Sequence, residues 1–309
     1  MSVSSPLDPT QWLKTQLLLL GFDDVGIAPA QEGTPYQSEF LDAILEKRHG
    51  PLDYLERTAL ERSDVLKLMP EAKSVVVVIK NYYTGDHGEV PEGFAKVSRY
   101  AWGGDYHHWF KKRLQKIRSL IHQNLDSGAK IHIFNDTGPV LERGWAEKTG
   151  LGFIGKSGLL IHRNYGTWTF IGGFVTDLSL RADKPTAKSL CGTCTACMDA
   201  CPTRAILSPK KVDAGKCLTT WNVERPLLKE ADKVEFKGSG WAVGCDICQE
   251  VCPWNKFEKI TEEPRFQRRE GHDLISIASI PKETAGTPLA RPGQEGLLVS
   301  VQRAQKFLG

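Results

Sequence analysis

Apolar and polar positions in the first 180 residues alternate in a way that predicts both helices and strands. Residues 74–79, Ser-Val-Val-Val-Val-Ile, form a nearly continuous apolar run of the length expected for a buried strand. Residues 107–125 carry apolar side chains at helical spacing, with most basic side chains off that stripe, which predicts a helix with a solvated basic face. A second strand is predicted at 130–134. Residues 166–177 predict a strand pair in which Gly172-Gly173 marks a bend or a close approach of two chains.

The two ends of the chain carry further signals. Asp8-Pro9 and Gly21 predict the start and the stop of an amphipathic helix. The apolar run within it, residues 17–20, is too short for a signal-peptide core or a membrane span, so we expect a cytoplasmic protein with no membrane partner. Residues 254–309 are polar and interrupted by Pro and Gly, with a short helix predicted at 296–308.

Composition adds little to this picture. Of the 309 residues, 40% are apolar and 25% are charged, which is ordinary for a globular protein of one large domain plus a smaller module. The net charge of +3 neither demands nor excludes a nucleic-acid partner, because a basic patch can be hidden in a balanced total. In a reducing compartment, closely spaced cysteines indicate metal binding rather than disulfides.

All eight cysteines lie in two clusters of similar spacing. The first is Cys191-x-x-Cys194-x-x-Cys197-x-x-x-Cys201-Pro202. The second begins at Cys217 and, after 27 intervening residues, continues as Cys245-x-x-Cys248-x-x-x-Cys252-Pro253. The first run has the spacing of bacterial two-cluster ferredoxins, and the second has the same pattern with an insertion after its first cysteine. The pattern therefore predicts two 4Fe–4S clusters.

The spacing also predicts which cysteines share a cluster. In two-cluster ferredoxins the cysteine before proline binds the other cluster. We therefore assign the first cluster to Cys191, Cys194, Cys197 and Cys252. The second cluster is assigned to Cys201, Cys217, Cys245 and Cys248. Structural zinc is the main alternative, but paired zinc knuckles do not call for a third cysteine two residues on, nor for proline after the fourth.

The two clusters imply a second redox centre in the larger domain, since such clusters normally pass single electrons and rarely perform chemistry themselves. The residues alone do not identify that centre. No G-x-G-x-x-G sequence follows a predicted strand, and there is no P-loop, so a Rossmann nicotinamide site is not supported.

Several motifs resemble those of the epoxyqueuosine reductase family. They are Asp136-Thr-Gly-Pro-Val-Leu-Glu-Arg143 with Gly150-Leu-Gly-Phe-Ile-Gly-Lys156, the run Cys245-Asp-Ile-Cys-Gln-Glu-Val-Cys-Pro-Trp-Asn255, Arg99-Tyr-Ala101 followed by Asp105-Tyr-His107, and Tyr54-Leu-x-Arg57. The likeness spans roughly residues 10–300. The chain differs from the family pattern at Gly104 and Ser157, where the family usually has Arg and Asn, and in the stretch 218–222. Many members also continue into a helical-repeat tail, whereas this sequence stops at 309.

The resemblance implies an α/β (α+β) fold in which a nitroreductase-like domain binds cobalamin and a bacterial two-cluster ferredoxin-like module is inserted or appended. We expect the cobalamin domain at 1–180, the ferredoxin-like domain at 181–260 and a C-terminal helical extension at 261–309. The expected function is reduction of epoxyqueuosine to queuosine at the wobble position of tRNAs with GUN anticodons, the last step of queuosine biosynthesis. An external electron donor and a monomeric state are expected as well.

Asp136 is the candidate catalytic acid, because opening the epoxide creates an alkoxide that must leave as water. If the corrin covers Asp136, desolvation is expected to raise its pKa and keep it protonated near neutrality. The residues alone favour a different role, since Asn135-Asp136-Thr137 before Pro139 is good helix-capping chemistry. The family resemblance turns the preference towards catalysis.

Further cofactor contacts are implied by the resemblance, and each also has a simpler interpretation. They are Arg57, Arg99, Tyr106, His107, Lys156 and Ser157. Both arginines are otherwise ordinary surface residues, and Lys156-Ser157 after a glycine-rich run fits a plain turn about as well. His107-His108 at a helix start is interpreted as a surface pair rather than a cobalt ligand.

Two other function classes remain open. One is a cobalamin and iron–sulfur reductase of a small molecule, similar to reductive dehalogenases, and the other is an electron carrier without its own substrate. Lys210-Lys211 and residues 265–269 are weak candidates for tRNA phosphate contacts, because short basic runs are usually solvated surface. Trp221, Trp241 and Trp254 flank the cysteines, where they can shield the clusters or stack on an unpaired base.

Overall fold

The structure is a computed structural model that describes residues 8–185, 189–233 and 240–305. Its α-helices are α1 (Pro9–Leu19), α2 (Gln37–Leu45), α3 (Asp53–Arg57), α4 (Ala59–Ser63), α5 (Val65–Leu68), α6 (Tyr106–Asn124), α7 (Glu142–Lys148), α8 (Ala196–Asp199), α9 (Ile247–Glu250) and α10 (Gly293–Gln305). Its strands are β1 (Asp24–Pro29), β2 (Ser74–Asn81), β3 (Ala95–Val97), β4 (Ile131–Phe134), β5 (Phe153–Ile154), β6 (Leu160–Ile161), β7 (Thr169–Thr176), β8 (Ile206–Ser208), β9 (Lys211–Val212), β10 (Trp241–Val243) and β11 (Leu274–Ile275). The fold is therefore of mixed α and β class, as predicted.

The central sheet has the order β1-β2-β7-β4, with every neighbouring pair antiparallel. Strand β2 is buried along its whole length. Its alternate side chains enter two different cores, Val76 and Val78 on the side of α1 and α6, and Val75, Val77 and Ile79 on the side of α7. A strand covered on both faces gains from apolar side chains at every position, which explains the unbroken apolar run.

Most of the predicted elements are confirmed, with shifts of a few residues. The helix predicted at 107–125 is α6, and the strand predicted at 130–134 is β4. The helix predicted at 296–308 begins earlier, at Gly293, and its residues 306–308 lie outside the described residues. The strand pair predicted at 166–177 is wrong, because this segment forms the single long strand β7.

Gly172 and Gly173 are required by close packing rather than by a bend in β7. A Cβ atom on Gly173 would lie 2.0 Å from the backbone oxygen of Val76 and 2.8 Å from the ring of Phe134. A Cβ atom on Gly172 would lie 2.6 Å from the ring of Phe110. The prediction of a close approach at this position is thus confirmed, and its cause is the contact of β7 with the backbone of Val76 and with the rings of Phe110 and Phe134.

A second, three-stranded sheet has the order β10-β3-β11. Strand β10 runs parallel to β3 and leads directly to Cys245, and β11 runs antiparallel to β3. Helix α10 packs on this sheet through Leu297, Val301 and Ala304. The sheet joins strands from all three of the segments predicted as domains, so the cysteine module is tied to the preceding chain by backbone hydrogen bonds. No helix among the described residues is both long and apolar enough to cross a membrane.

Candidate active site and metal centres

The eight cysteines are all free thiols, and their mutual electrostatic effects group them into two sets. In the first set, burial raises the pKa of Cys197, and the neighbouring Cys191, Cys252 and Cys194 raise it further. The pKa of Cys252 is raised by burial and then by Cys191 and Cys194. The structure therefore brings Cys252, from the second cysteine run, to the three cysteines that begin the first run.

The second set combines one cysteine of the first run with three of the second. Burial raises the pKa of Cys248, and Cys217 and Cys201 act in the same direction. Burial also raises the pKa of Cys245, with further contributions from Cys248 and Cys217. The two sets adjoin, since Cys197 of the first set also contributes to the raised pKa of Cys248.

This donor set fits two 4Fe–4S clusters. Soft sulfur ligands suit cubane chemistry. The coupling of Cys252 with Cys191 and of Cys248 with Cys201 is consistent with the crossover, and the assignment of each cysteine to a cluster stays a prediction from the spacing. The raised pKa values mean that the cysteines are protonated thiols at neutral pH. Because iron binds thiolates, the binding of iron must displace these protons.

The glycine-rich segment 150–156 lies against the first set. A Cβ atom on Gly155 would lie 3.7 Å from the sulfur of Cys191. The ammonium group of Lys156 donates hydrogen bonds to the backbone oxygens of Gly192 and Cys194, both at 2.8 Å. Ser157 lies in the tight turn that follows, in which the amide of Gly158 donates to the backbone oxygen of Gly155. Lys156 and Ser157 are thus placed beside the first cysteine set.

Arg99 lies beside the second set, in a buried ion network. Its side chain is only 3% exposed, and that of Asp246, directly after Cys245, is 1% exposed. The guanidinium donates to Asp246 at 3.1 Å, to Glu250 at 2.8 Å and to Asp86 at 2.9 Å. It also lies over the ring of Trp168, 4.9 Å from its centroid. Arg99 therefore connects the chain before α6 to the loop that carries Cys245 and Cys248.

A third group of polar side chains surrounds Asp136, at the end of strand β4. The backbone of Asp136 is left-handed, with φ of 58°, and its amide donates to the carboxylate of Glu142 at 2.5 Å. The Asp136 carboxylate, 59% exposed, accepts hydrogen bonds from the Tyr106 hydroxyl at 2.8 Å and from Nε2 of His107 at 3.1 Å. Nδ1 of His107 contacts Asp105 at 2.8 Å. Three of the predicted site residues are thus brought together.

Asp136 does not cap a helix in this structure. Helix α7 begins at Glu142, with Leu141 at the N-cap position and no side-chain cap. The capping side chain in this region belongs instead to Asp105, which accepts from the amide of His107 at the start of α6. The side chain of Asp136 is directed to Tyr106 and His107, so the capping interpretation is wrong.

The protons in this group lie on residues other than Asp136. Desolvation by the surrounding side chains raises the pKa of Asp136, but the hydrogen bonds from His107 and Tyr106 outweigh it and lower the pKa below the usual value. Burial disfavours the charged form of His107, but its hydrogen bonds to Asp105 and Asp136 raise its pKa to about 9. Burial, together with the nearby charge of Asp136, raises the pKa of Glu142 to about 8. These shifts favour the charged form of Asp136, and its protonation under a bound corrin stays a prediction.

Sequence reasoning missed two residues near Asp136. Glu142 lies six residues after Asp136 in the same motif, and this shared motif was the signal that could have placed Glu142 in the site. Arg62 is buried, and burial lowers its pKa. The negative charges of Glu142 and Asp136 oppose this shift, which shows that Arg62 lies near both carboxyl groups. Arg57 lies at the end of α3 with an exposed side chain.

The surroundings of Asp136 fit a bound cofactor better than a finished protein surface. The side-chain oxygen of Asn135 is buried and has no hydrogen-bond partner within the protein, although its amide group donates to Ile171. The ring of Tyr106 stacks between Phe170 and His107, with both centroid distances at 4.1 Å. An orphaned buried acceptor beside an exposed carboxylate and a stacked aromatic ring is what a large ligand with amide groups can complete.

The basic pairs and tryptophans give little support to the RNA contacts considered above. Lys210 donates to the Tyr36 hydroxyl at 2.6 Å, and Lys211 is paired with Glu46 at 2.8 Å. Trp221 and Trp241 are buried, which agrees with shielding rather than base stacking. Within 265–269, Arg268 is paired with Asp273, and the exposed side chains of Arg265 and Arg269 are still available.

Comparisons with known proteins agree on one family. A family model described as epoxyqueuosine reductase QueG, DUF1730, matches residues 62–137, and one for a 4Fe-4S double cluster binding domain matches residues 190–255. The epoxyqueuosine reductase of Cyclobacterium marinum is 38% identical over 282 residues, which cover 89% of this chain and 88% of that protein. That of Synechocystis sp. is 40% identical over 225 residues, covering 71% and 77%.

Solved structures show the same fold. A crystal structure of epoxyqueuosine reductase with an epoxyqueuosine-modified tRNA-Tyr stem loop has a TM-score of 0.80 at 24% identity, covering 96% of this chain and 80% of that one. A structure from Bacillus subtilis, described with its catalytic aspartate loop swung out of the active site, has a TM-score of 0.78 at 21% identity and covers 96% and 81%.

Proposed function

The chain belongs to the epoxyqueuosine reductase family, and from this membership we propose that it reduces the epoxide of epoxyqueuosine to the alkene of queuosine at the wobble position of tRNA. The observation that carries the proposal is the identity to a curated reductase across nearly the whole of both chains. Because those relatives are reductases of one modified nucleoside, the small-molecule reductase and the electron carrier are not favoured.

The reaction sets a clear requirement for electrons and protons. Converting an epoxide to an alkene consumes two electrons and two protons, and the oxygen leaves as water. The two adjoining thiol sets hold 4Fe–4S clusters, which pass electrons one at a time. When bound, cobalamin would supply a strongly reducing cobalt centre.

We propose that cobalamin binds next to Asp136, with Tyr106 and His107 facing it. The orphaned oxygen of Asn135 and the stacked ring of Tyr106 support this position. Arg57, Arg99, Lys156 and Ser157 stay predictions as cofactor contacts. In the structure, the charged groups of Arg99 and Lys156 contact the loops of the cysteine module.

The residues around Asp136 supply and direct the protons. With a pKa of about 9, His107 carries a proton at neutral pH, and its Nε2–H points to the Asp136 carboxylate. We propose that a covering cofactor raises the pKa of Asp136 enough for it to take that proton and pass it to the oxygen that leaves the ring, as a general acid recharged by His107. Desolvation by a bound cofactor raises the pKa of a carboxylate, which favours this transfer.

The partners are proposed on the same basis. A tRNA stem loop is the ligand of a related structure with the same fold, and we propose tRNA with a GUN anticodon as the substrate of this chain. An external electron donor must reduce the clusters, because the reaction consumes electrons. We further propose a cytoplasmic monomer, and a division into a cobalamin domain at 1–180, a ferredoxin-like domain at 181–260 and a C-terminal extension at 261–309.

The deciding experiment is anaerobic turnover of a tRNA stem loop that carries epoxyqueuosine. The purified chain, reconstituted with iron, sulfide and cobalamin, is mixed with a chemical reductant, and the nucleosides are analysed by mass. We expect loss of the epoxide oxygen and appearance of queuosine. Cobalamin binding and cluster reduction without any queuosine would contradict the proposed substrate and favour a small-molecule reductase.

A further inference from the structure

The segment that follows β5 contacts the first cysteine set through one charged side chain. Lys156 donates to the backbone oxygens of Gly192 and Cys194, which lie in the loop that carries Cys191 and Cys194 themselves. The backbone of Lys156 is itself held, since its oxygen accepts from the amide of Lys210 at 2.9 Å. Lys156, whose backbone is held by Lys210, thus binds the loop of Cys191 and Cys194 at two backbone oxygens.

The two hydrogen bonds fix the orientation of two peptide groups next to the ligands. In a planar trans peptide, the C=O bond and the following N–H bond point in opposite directions. When the oxygens of Gly192 and Cys194 face the ammonium group, the amides of Thr193 and Thr195 must point away from it. Amide orientation around an iron–sulfur cluster matters, because hydrogen bonds to the sulfurs are among the factors that set its reduction potential.

The positive charge of Lys156, beside the first set, has different neighbours from the positive charge of Arg99, beside the second set. Arg99 contacts three carboxylates, Asp86, Asp246 and Glu250, so its positive charge is compensated locally. The two oxygens that Lys156 contacts belong to neutral peptide groups and leave its charge in place. A positive charge beside a cluster favours the reduced form, which carries one more negative charge.

The first set is also the more accessible of the two. Cys194 is exposed, whereas the four cysteines of the second set are each only partly exposed. An electron donor from outside can approach the first set more closely. A higher potential at this position makes reduction by such a donor more favourable.

We propose that Lys156 is a positioning residue of the electron path, which holds the loop of the first cysteine set and raises the reduction potential of the cluster bound there. The inference rests on the two-cluster part of the proposed function. It is independent of cobalamin and tRNA, because both effects of Lys156 act on the cluster alone. The first cluster is then more readily reduced by an external donor than it would be without the charge of Lys156.

The test compares Lys156→Met with Lys156→Arg and with Lys148→Met. Lys148 is a matched control, because its ammonium group donates to the backbone oxygen of Gly33 and lies in α7 rather than beside a cysteine. Each full-length variant is reconstituted anaerobically with iron and sulfide, without cobalamin or tRNA. Iron is counted, and the midpoint potentials of both clusters are measured by redox titration followed by electron paramagnetic resonance.

In Lys156→Met we expect one cluster to be about tenfold less reduced at a fixed potential, which is about 59 mV for a one-electron couple. The other cluster should keep its potential, Lys156→Arg should restore most of the loss, and Lys148→Met should behave as the original chain. Loss of about half of the iron in the Met variant, recovered in the Arg variant, would also support the proposal. Full iron with both potentials unchanged would overturn it, and so would an Arg variant that behaves like the Met variant. None of these outcomes depends on whether epoxyqueuosine is the substrate.

Discussion

Replacing Asp136 by Asn removes the proton carrier of the proposed site while preserving its shape. The Asn side chain keeps one oxygen, which can still accept from the Tyr106 hydroxyl and from Nε2 of His107, now 2.8 Å and 3.1 Å from the carboxylate. It cannot carry the transferred proton. General acid catalysis of this kind contributes about 10²–10⁴-fold, so the barrier should rise by about 3–5 kcal/mol.

The same substitution changes His107. The carboxylate of Asp136 is one of two that hold the pKa of His107 at about 9, the other being that of Asp105. Without the Asp136 charge the pKa of His107 should fall towards its ordinary value. The residual activity of Asp136→Asn should therefore decline at a lower pH than the activity of the original chain.

The measurement is single-turnover conversion of the epoxyqueuosine stem loop under anaerobic conditions, followed by nucleoside mass over a range of pH. Iron content and cluster reduction serve to show that the electron path is intact. Thr137→Ala is the matched control, because Thr137 lies in the same loop and its hydroxyl donates to the backbone oxygen of Asn135, at 3.4 Å, rather than to Asp136 or His107. Conversion by Asp136→Asn within about threefold of the original rate would refute the reasoning, since even the weakest general acids contribute more.

Three further outcomes are expected. Conversion by the original chain should fall as pH rises through about 9, where His107 loses its proton. The raised pKa of His107 also stabilises the fold below about pH 6.5, and this stabilisation should be lost as pH rises from there through about 9, which urea titrations at several pH values can show. Arg99→Met should lower the free energy of unfolding by about 3–5 kcal/mol in urea denaturation, because Asp246 would be left buried without its partner, whereas the exposed Arg265→Met should change it little. Gly173→Ala should lower the melting temperature by several degrees, because its Cβ would overlap a strand backbone, while Gly88→Ala, with open space around it, should not.

The elements with local signals could be predicted from the sequence. The apolar run of β2, the stripe of α6 and the start of α1 at Pro9 all depend on residues within a few positions of one another. The grouping of the cysteines rests on a spacing rule that relates distant residues, since in two-cluster ferredoxins the cysteine before proline binds the other cluster; the electrostatic coupling of Cys252 with Cys191 is consistent with it.

The contacts that join the parts of the molecule could not be predicted. The bond from Arg99 to Asp246 spans 147 positions, and those from Lys156 to the first ligand loop span 36 and 38. An arginine or a lysine at such a position has no periodicity or spacing that distinguishes it from a solvated surface residue. The left-handed backbone of Asp136 could not be predicted either, because Asn135-Asp136-Thr137 is also a good helix-capping sequence.

The distance between the electron path and the proton path is set by one continuous segment, residues 95–107. Its strand β3 pairs with β10, which leads into Cys245, and two residues after β3 the side chain of Arg99 binds Asp246, next to that cysteine. Its end supplies Tyr106 and His107, which hold Asp136. This short segment therefore contacts both sites, through the β3–β10 pairing at one end and the start of α6 at the other. The chain can therefore hold a redox centre and a proton donor in a fixed relation, although Cys245 and Asp136 are more than 100 positions apart.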